Sequence, residues 1–312
     1  MGRHVVAELE VEGRKIRVSN LDKVLYPETG FTKADVIQYY IKIAPVLLPH
    51  VRNRALTLKR YPNGVQGEFF YEKNCPAHRP GWVPTVPIWS EGNRRMMHYC
   101  LANDVSTLVW AANLADLELH TSLACARSPL RPDMMVFDLD PGAPADIVQC
   151  CEVALRVREI LEEDGLKSFP KTSGSKGLQL YVPLSSTGNS FDLTKAYAHN
   201  LAKRLEQDEP GLVVAKMQKV LRAGKVFVDW SQNDDHKTTV CAYSLRAKEM
   251  PTVSTPITWH EVERCLKDKD GEQLAFTSDE VLARVAKHGD LFAPVLTDAQ
   301  KMPKARELSH AL

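Results

Sequence analysis

Residues 134–142 read Met134-Met135-Val136-Phe137-Asp138-Leu139-Asp140-Pro141-Gly142. Four apolar residues, an acid-apolar-acid step and a Pro-Gly break describe a short buried strand that ends abruptly. Side chains alternate along a strand, so Asp138 and Asp140 leave the same face with Cα atoms about 6.6 Å apart. Carboxylates that close repel one another unless something positive lies between them. A divalent cation with hard oxygen ligands meets that need, and Mg²⁺ or Mn²⁺ suits it. A bare Asp-x-Asp is a common surface or turn feature. The apolar run before it adds weight, because strand ends are where sites open.

Working outward, Lys225-Val226-Phe227-Val228-Asp229-Trp230 is a second short buried-type strand with an acid near its end. Three carboxylates on neighbouring strands would hold two metals roughly 4 Å apart, the arrangement used for phosphoryl transfer. Alone, Asp229 reads equally well as a cap or turn residue. Between the two acid-bearing strands lies Thr172-Ser173-Gly174-Ser175-Lys176-Gly177. Glycines let backbone approach a phosphate, hydroxyls and amides donate to it, and lysine supplies charge. The spacing is not that of a Walker loop, and a strand follows rather than a helix. Alone it is a hairpin turn; between two acidic strands it becomes a triphosphate cradle.

The flanking sequence predicts a mixed architecture. A hairpin is expected over Val5–Val18 with its turn at Glu12-Gly13. Thr32–Asp35 has capping-box spacing and opens a helix to about Leu48, with Pro45 kinking or ending its regular part. Strands are expected around the Pro62-Asn63-Gly64 turn, a long surface loop over 74–94, a helix near 102–114 and a strand at Leu117–Thr121. Further helices are expected at Asp146–Asp164 and Asp192–Gln207, strands at Leu178–Leu184 and Val226–Trp230, and a helical periphery after 250. Strands and helices mix without strict βαβ alternation, so the class is α+β with more than one sheet.

Composition narrows the classes. The chain has 312 residues, 44% hydrophobic and 25% charged, and no apolar run long enough to span a bilayer. Met1–His4 lead into charged sequence, so no signal peptide is expected. Net charge is +1, but residues 1–60 carry 11 basic against 6 acidic side chains and residues 213–248 carry 7 against 3. Such stretches suit a phosphate-binding surface, although charge alone also describes a solvated face. The seven cysteines form no CxxC pair, and a reduced cytoplasmic protein with buried thiols is expected. Cys75 and His78 have zinc-like spacing without a second pair, so no zinc site is expected.

The motifs FDLDPG, TSGSKGLQLYVPL, LRAGKVFVDWSQN and YSLR, in this order, together with SNLDKVLYPETGFTK, KRYPNGV and FFYEK, resemble the polymerase domain of prokaryotic end-joining ligase D. That family belongs to the archaeo-eukaryotic primase superfamily, and the resemblance covers about residues 15–292. It implies a two-lobed primase-polymerase fold, with an RRM-like catalytic palm sheet packed against a second α/β unit. The implied organisation is one polymerase domain over 1–312. Residues 1–130 would be mainly a DNA and 5′-phosphate-binding part, 131–250 the palm and 251–312 a peripheral segment.

By resemblance, Asp138, Asp140 and Asp229 are the catalytic, metal-binding aspartates, with two Mn²⁺ or Mg²⁺ ions. His120, Ser173, Ser175, Lys176, Gln179 and Arg246 bind the nucleotide, and Asn20, Lys23 and Lys33 the 5′-phosphate of a downstream strand. Phe69, Phe70 and Tyr71 stack on template bases, and Arg222 and Lys225 lie near the primer terminus. The chemistry agrees: lysines and an amide suit a phosphate dianion, and aromatic faces accept any base. One departure stands out, since Gln179 occupies a position where the family usually has His. An amide still donates to phosphate but cannot become cationic. Glu118 shares a face with His120, but the sequence assigns it no role.

The implied activity is template-dependent addition of nucleotides, ribonucleotides preferred, at DNA gaps and broken ends during non-homologous end joining. Implied partners are DNA with 5′-phosphate ends or gaps, NTPs or dNTPs, Ku, a DNA ligase, and a second copy of the chain bridging ends. No membrane partner is expected, and the location is cytoplasmic and nucleoid-associated. No KxDG adenylation motif is present, so ligation is expected from elsewhere. Two alternatives remain, a catalytically weakened end-bridging module and a de novo primase. The Lys23/Lys33 pocket weighs against the primase. A two-metal nuclease would share the carboxylates but not need the SGSKG turn.

Overall fold

The computed structural model describes residues 6–303, which form two units. The first takes in the chain up to Ser122, with Thr238–Ser254 and Phe276–Gly289 returning to it. The second holds Leu123–Lys237, Thr255–Ala275 and the chain from Asp290 onward.

The first unit begins with the antiparallel hairpin β1 (Val6–Val11) and β2 (Arg14–Ser19), turning at Glu12 and Gly13, both with positive φ. Val5, expected to begin this hairpin, lies outside the described residues, as do Met1–His4. After β3 (Val24–Tyr26) and β4 (Phe31–Thr32) comes α1 (Lys33–Val51). Its capping box is present: Thr32 N donates to Asp35 Oδ2 at 2.8 Å and Asp35 N to Thr32 Oγ1 at 3.3 Å. Of the two expected effects of Pro45, ending the helix does not occur, since α1 continues to Val51. Ile41, Pro45 and Pro49 form one exposed stripe, so the hydrogen bonds the prolines cannot make face water, while Tyr40, Ile43, Leu47 and Val51 anchor the buried side.

Strands β5 (Arg54–Arg60) and β6 (Phe70–Glu72) pair antiparallel, as do β7 (Thr85–Ser90) and β8 (Arg95–Cys100). The stretch expected to be a loop over 74–94 therefore contains a strand. Pro87 disguises it, and is tolerated because β7 lies at a sheet edge. Helix α2 (Val105–Asn113), capped by Asp104, leads into β9 (Asp116–Cys125). Contrary to the expectation of free thiols, Cys75 and Cys100 form a disulfide. Cys75 is thereby unavailable for a metal with His78. The other five cysteines form no disulfide.

In the second unit, β10 (Met134–Pro141), α3 (Ile147–Glu163), β11 (Phe169–Thr172), β12 (Leu178–Pro183), α4 (Phe191–Asp208), β13 (Val213–Val214) and β14 (Val226–Asp229) follow in order. The sheet order is β11-β12-β10-β14-β13, antiparallel except for β13 with β14. The acidic strand β10 is thus central. Phe137 and Leu139, fully buried, leave the face opposite Asp138 and Asp140, and α3 and α4 pack on the sheet. Asp146 caps α3, whose buried stripe runs through Cys150, Val153, Ala154, Val157 and Leu161; Gly165, at φ 74°, follows its end.

Strand β15 (Thr239–Val240) returns to the first unit beside β9, giving the order β15-β9-β5-β8-β7 with β6 on β5. Helix α5 (Trp259–Asp268) packs on α3, α6 (Ser278–His288) on α1, and α7 (Pro294–Thr297) beside β12. The expected helical periphery runs past these into residues 304–312, which lie outside the described residues. No helix among the described residues is long and apolar enough to cross a membrane. The architecture is the expected α+β class with several sheets.

Candidate active site

Strand register builds the centre of the second unit. Asp138 on β10 lies directly opposite Asp229 on β14 and, on its other side, opposite Gln179 on β12. Asp140 sits two residues on, opposite Phe227, and is exposed. Directly opposed residues have Cβ atoms about 5 Å apart. Three carboxylates therefore crowd one sheet face. Burial, then the charges of Asp140 and Asp229, push the Asp138 carboxyl up to about 7, against the opposing hydrogen bond from Gln179 and the charge of Lys171. Hard oxygen donors whose mutual repulsion a cation would relieve fit a divalent metal. Asp229 is already held by its own turn: Oδ1 accepts from Ser231 N at 3.0 Å and Ser231 Oγ at 2.5 Å, and Oδ2 accepts from Gln232 Nε2 at 2.8 Å.

The turn after β11 lies against β10. A Cβ at Gly177 would run into the carbonyl oxygen of Leu139, between the two aspartates, so glycine is required there. Gly174 adopts φ 65°. Ser173 Oγ accepts from Ser175 N (3.2 Å) and Gly177 N (3.1 Å), and Ser173 N donates to Gly177 O (2.8 Å). The Ser173 hydroxyl thus closes the turn, while Ser175 and Lys176 stand exposed at its tip. On the other side, a Cβ at Gly142 would strike the carbonyl oxygen of Arg222, and Gly142 N donates to Lys225 O at 2.8 Å. The LRAGK loop therefore packs on the Pro141-Gly142 break. Its basic side chains are tied locally. The Arg222 guanidinium lies 3.7 Å over the Phe227 ring and donates to Met217 O at 2.9 Å, and Lys225 Nζ donates to Pro210 O at 2.6 Å.

A second cluster lies within the first unit. Phe69, Phe70 and Tyr71 are each roughly half exposed, at 50%, 44% and 55%. Phe69 stacks on Tyr61 and meets Tyr71 edge-on, and Tyr71 meets His120 edge-on. The Lys59 ammonium lies 4.6 Å from the Phe69 ring centroid, and Arg60 covers Phe70 at 5.1 Å. Beneath them is Glu118, only 1% exposed. It meets His120 Nε2 at 3.0 Å, Lys59 Nζ at 3.1 Å and Arg246 Nε at 3.4 Å, and accepts from Ala247 N at 3.1 Å. Burial alone would raise its pKa. The hydrogen bond with His120 and the charges of Arg246, His120 and Lys59 outweigh burial and hold it well below the ordinary carboxylate range. Burial, against the pull of Glu118, keeps His120 below the usual imidazole value.

Asn20, Lys23 and Lys33 also gather in the first unit. Asn20, at φ 53°, turns the chain so that Lys23 N donates to its carbonyl at 3.1 Å, and Lys33 N donates to Lys23 O at 2.9 Å. Lys33 is 6% exposed, with Nζ 2.9 Å from Asn113 O. Burial, then the charges of Lys23 and Arg60, lower its pKa. Lys23 Nζ donates to Pro62 O at 2.5 Å and Arg60 pairs with Glu72 at 2.7 Å, so each of these cations has a local partner within the first unit.

One grouping was not anticipated. Among the described residues, the ligating atoms that lie within 4.8 Å of one another belong to Asp234, Asp235 and His236, and not to the three aspartates. Asp234 is already paired with Lys195 at 2.6 Å, and nothing further at this surface cluster indicates a ligand.

The pattern of the LigD primase-polymerase domain matches residues 32–292. The chain belongs to the LigD primase-polymerase domain family. It is 44% identical over 287 residues to the multifunctional non-homologous end joining protein LigD of Mycolicibacterium smegmatis, covering 91% of this chain and 36% of that protein. It is 34% identical over 289 residues to the bifunctional LigD of Bacillus subtilis, covering 93% of this chain and 45% of that protein. The chain thus spans less than half of either relative. Among solved structures, the polymerase domain from Mycobacterium tuberculosis ligase D in complex with DNA is similar at a TM-score of 0.83 and 41% identity, covering 91% of this chain and 99% of that one. The fold is that of the LigD polymerase domain.

Two residues of these clusters, Glu118 and Lys171, carry no clear signal in the sequence. For Glu118 the sequence offers only its i, i+2 relation to His120, which puts both on one strand face. Lys171, fully buried on β11 and opposite Gln179, was not singled out. Its signal lies only in strand register.

Proposed function

We propose that the chain is a template-dependent nucleotidyltransferase that adds nucleotides at gaps and broken ends of DNA in end joining. The observation that carries this reading is the Asp138–Asp229 opposition with Asp140 on the same strand, beside a glycine-dependent turn that ends in Lys176. In the reaction, a primer 3′-hydroxyl attacks the α-phosphate of the incoming nucleotide and pyrophosphate leaves. Asp138, Asp140 and Asp229 are the residues that would hold divalent cations. Bound there, such ions lower the pKa of the attacking hydroxyl and neutralise triphosphate charge.

Exposed Ser175 and Lys176 and the Gln179 amide face the anionic side of that chemistry as donors. His120 and Arg246, oriented by Glu118, are proposed to meet the nucleotide, and Phe69, Phe70 and Tyr71 to stack on template bases. Asn20, Lys23 and Lys33 are proposed to grip a downstream 5′-phosphate, and Arg222 and Lys225 to shape the primer side. Ribonucleotide preference, Ku, a ligase and a bridging second copy belong to the same reading, drawn from the family relation.

The test is single-nucleotide addition to a gapped duplex in Mn²⁺, with ribo- or deoxyribonucleotides and with or without the downstream 5′-phosphate. Extension that favours ribonucleotides and weakens without the phosphate is expected. Phosphate-dependent binding with no extension under any condition would replace this reading with an end-bridging module.

A further inference from the structure

Four strands of the second unit place four polar residues in one row. Lys171 on β11 is directly opposite Gln179 on β12, Gln179 opposite Asp138 on β10, and Asp138 opposite Asp229 on β14. Lys171 is 0% exposed, and its Nζ is 2.5 Å from Gln179 Oε1. On its other side Gln179 hydrogen-bonds Asp138. A carboxylate only accepts, so the group that Gln179 turns toward Asp138 is its NH₂. A glutamine amide has two nearly isosteric orientations, one presenting donors and the other an acceptor. The ammonium can only donate, so it admits one of them.

We propose that Lys171 is a positioning residue: by engaging the Gln179 carbonyl it fixes the side-chain NH₂ toward the aspartates, where it serves as a donor to an incoming triphosphate. With the amide reversed, a carbonyl oxygen would face carboxylates and phosphates and repel both. Lys171 acts through Gln179 and touches no reacting atom. A buried lysine without such a partner would be costly, so the pairing also explains how the ammonium is accommodated. The inference rests on the polymerase reading for the triphosphate, while the amide orientation itself does not depend on it.

The test therefore has two arms on the full chain. The first records the side-chain NH₂ signals of Gln179 by ¹⁵N-correlated NMR of the metal-free protein, assigned by their loss in Gln179→Leu. They are expected to shift in Lys171→Met and to stay close to wild type in Lys171→Gln, which keeps a donor without the charge. Signals unmoved by Lys171→Met would overturn the inference. The second arm measures ATP affinity in Mn²⁺ over a double-mutant cycle. Lys171→Met is expected to weaken binding about tenfold in the Gln179 background and to add no further loss in Gln179→Leu. Equal losses in both backgrounds, with Lys171→Gln as weak as Lys171→Met, would reveal a merely structural lysine. A wild type that binds no ATP while the NMR arm succeeds would sink the polymerase reading and leave the orientation intact.

Discussion

At Asp138, burial and like charge both oppose ionisation. Burial and two neighbouring carboxylates raise its pKa to about 7, above an ordinary value of 3.8. A raised carboxyl contributes stability that is full below pH 3.8 and lost as pH rises through about 7. In chelator at pH 8, Asp138→Asn is therefore expected to melt about 2–4 °C higher than wild type, while Mn²⁺ should stabilise only the wild type. Scanning calorimetry checks both, and a lower melting temperature for Asp138→Asn would contradict the repulsion argument. Glu118 runs the other way. Its depressed pKa contributes stability present above its ordinary value of 4.5 and lost as pH falls below it. Glu118→Gln leaves Lys59 and Arg246 without their buried counter-charge and should cost about 3 kcal/mol at pH 7 in urea titrations. The difference from wild type should narrow between pH 5 and pH 3.

At the scale of elements, the hairpin from β11 to β12 decides how closely donors approach the aspartates. Gly177→Ala would force the turn off Leu139 of β10, with an expected stability loss of about 2 kcal/mol and a fall in triphosphate affinity. Wild-type nucleotide affinity in that variant would show that the turn does not need this approach. Much of this level was legible in sequence. The apolar runs of β10, β12 and β14, their acids and the glycine turn are local signals that alternation and breakers reveal. What was not legible depends on pairing. Register puts Lys171 beside Gln179, and a partner 25 residues away gives Cys75 its disulfide. Strand β7 was hidden by Pro87, and the continuation of α1 past Pro45 depends on which stripe meets water. Gln179 reads in sequence as a donor to phosphate that cannot become cationic; its pairing with Lys171 is what strand register adds.

At the scale of the whole molecule, the residues proposed to act are divided between two units, the carboxylates and the glycine turn in one, the aromatic cluster with Lys23 and Lys33 in the other. A net charge of +1 hides this, because the cations are clustered rather than numerous. Lys33→Met is expected to weaken binding to 5′-phosphorylated gapped DNA about tenfold and to leave binding to the unphosphorylated gap nearly unchanged. Fluorescence anisotropy on the two duplexes measures this, and an equal loss on both would make Lys33 a general backbone contact. The most direct test of the central claim is nucleotide incorporation into gapped DNA in Mn²⁺ by wild type, Asp138→Ala, Asp140→Ala and Asp229→Ala, each shown to be folded and to bind DNA. The account predicts incorporation by wild type and a loss of at least about 10³-fold in every variant. Incorporation that survives removal of any one of the three aspartates would contradict it.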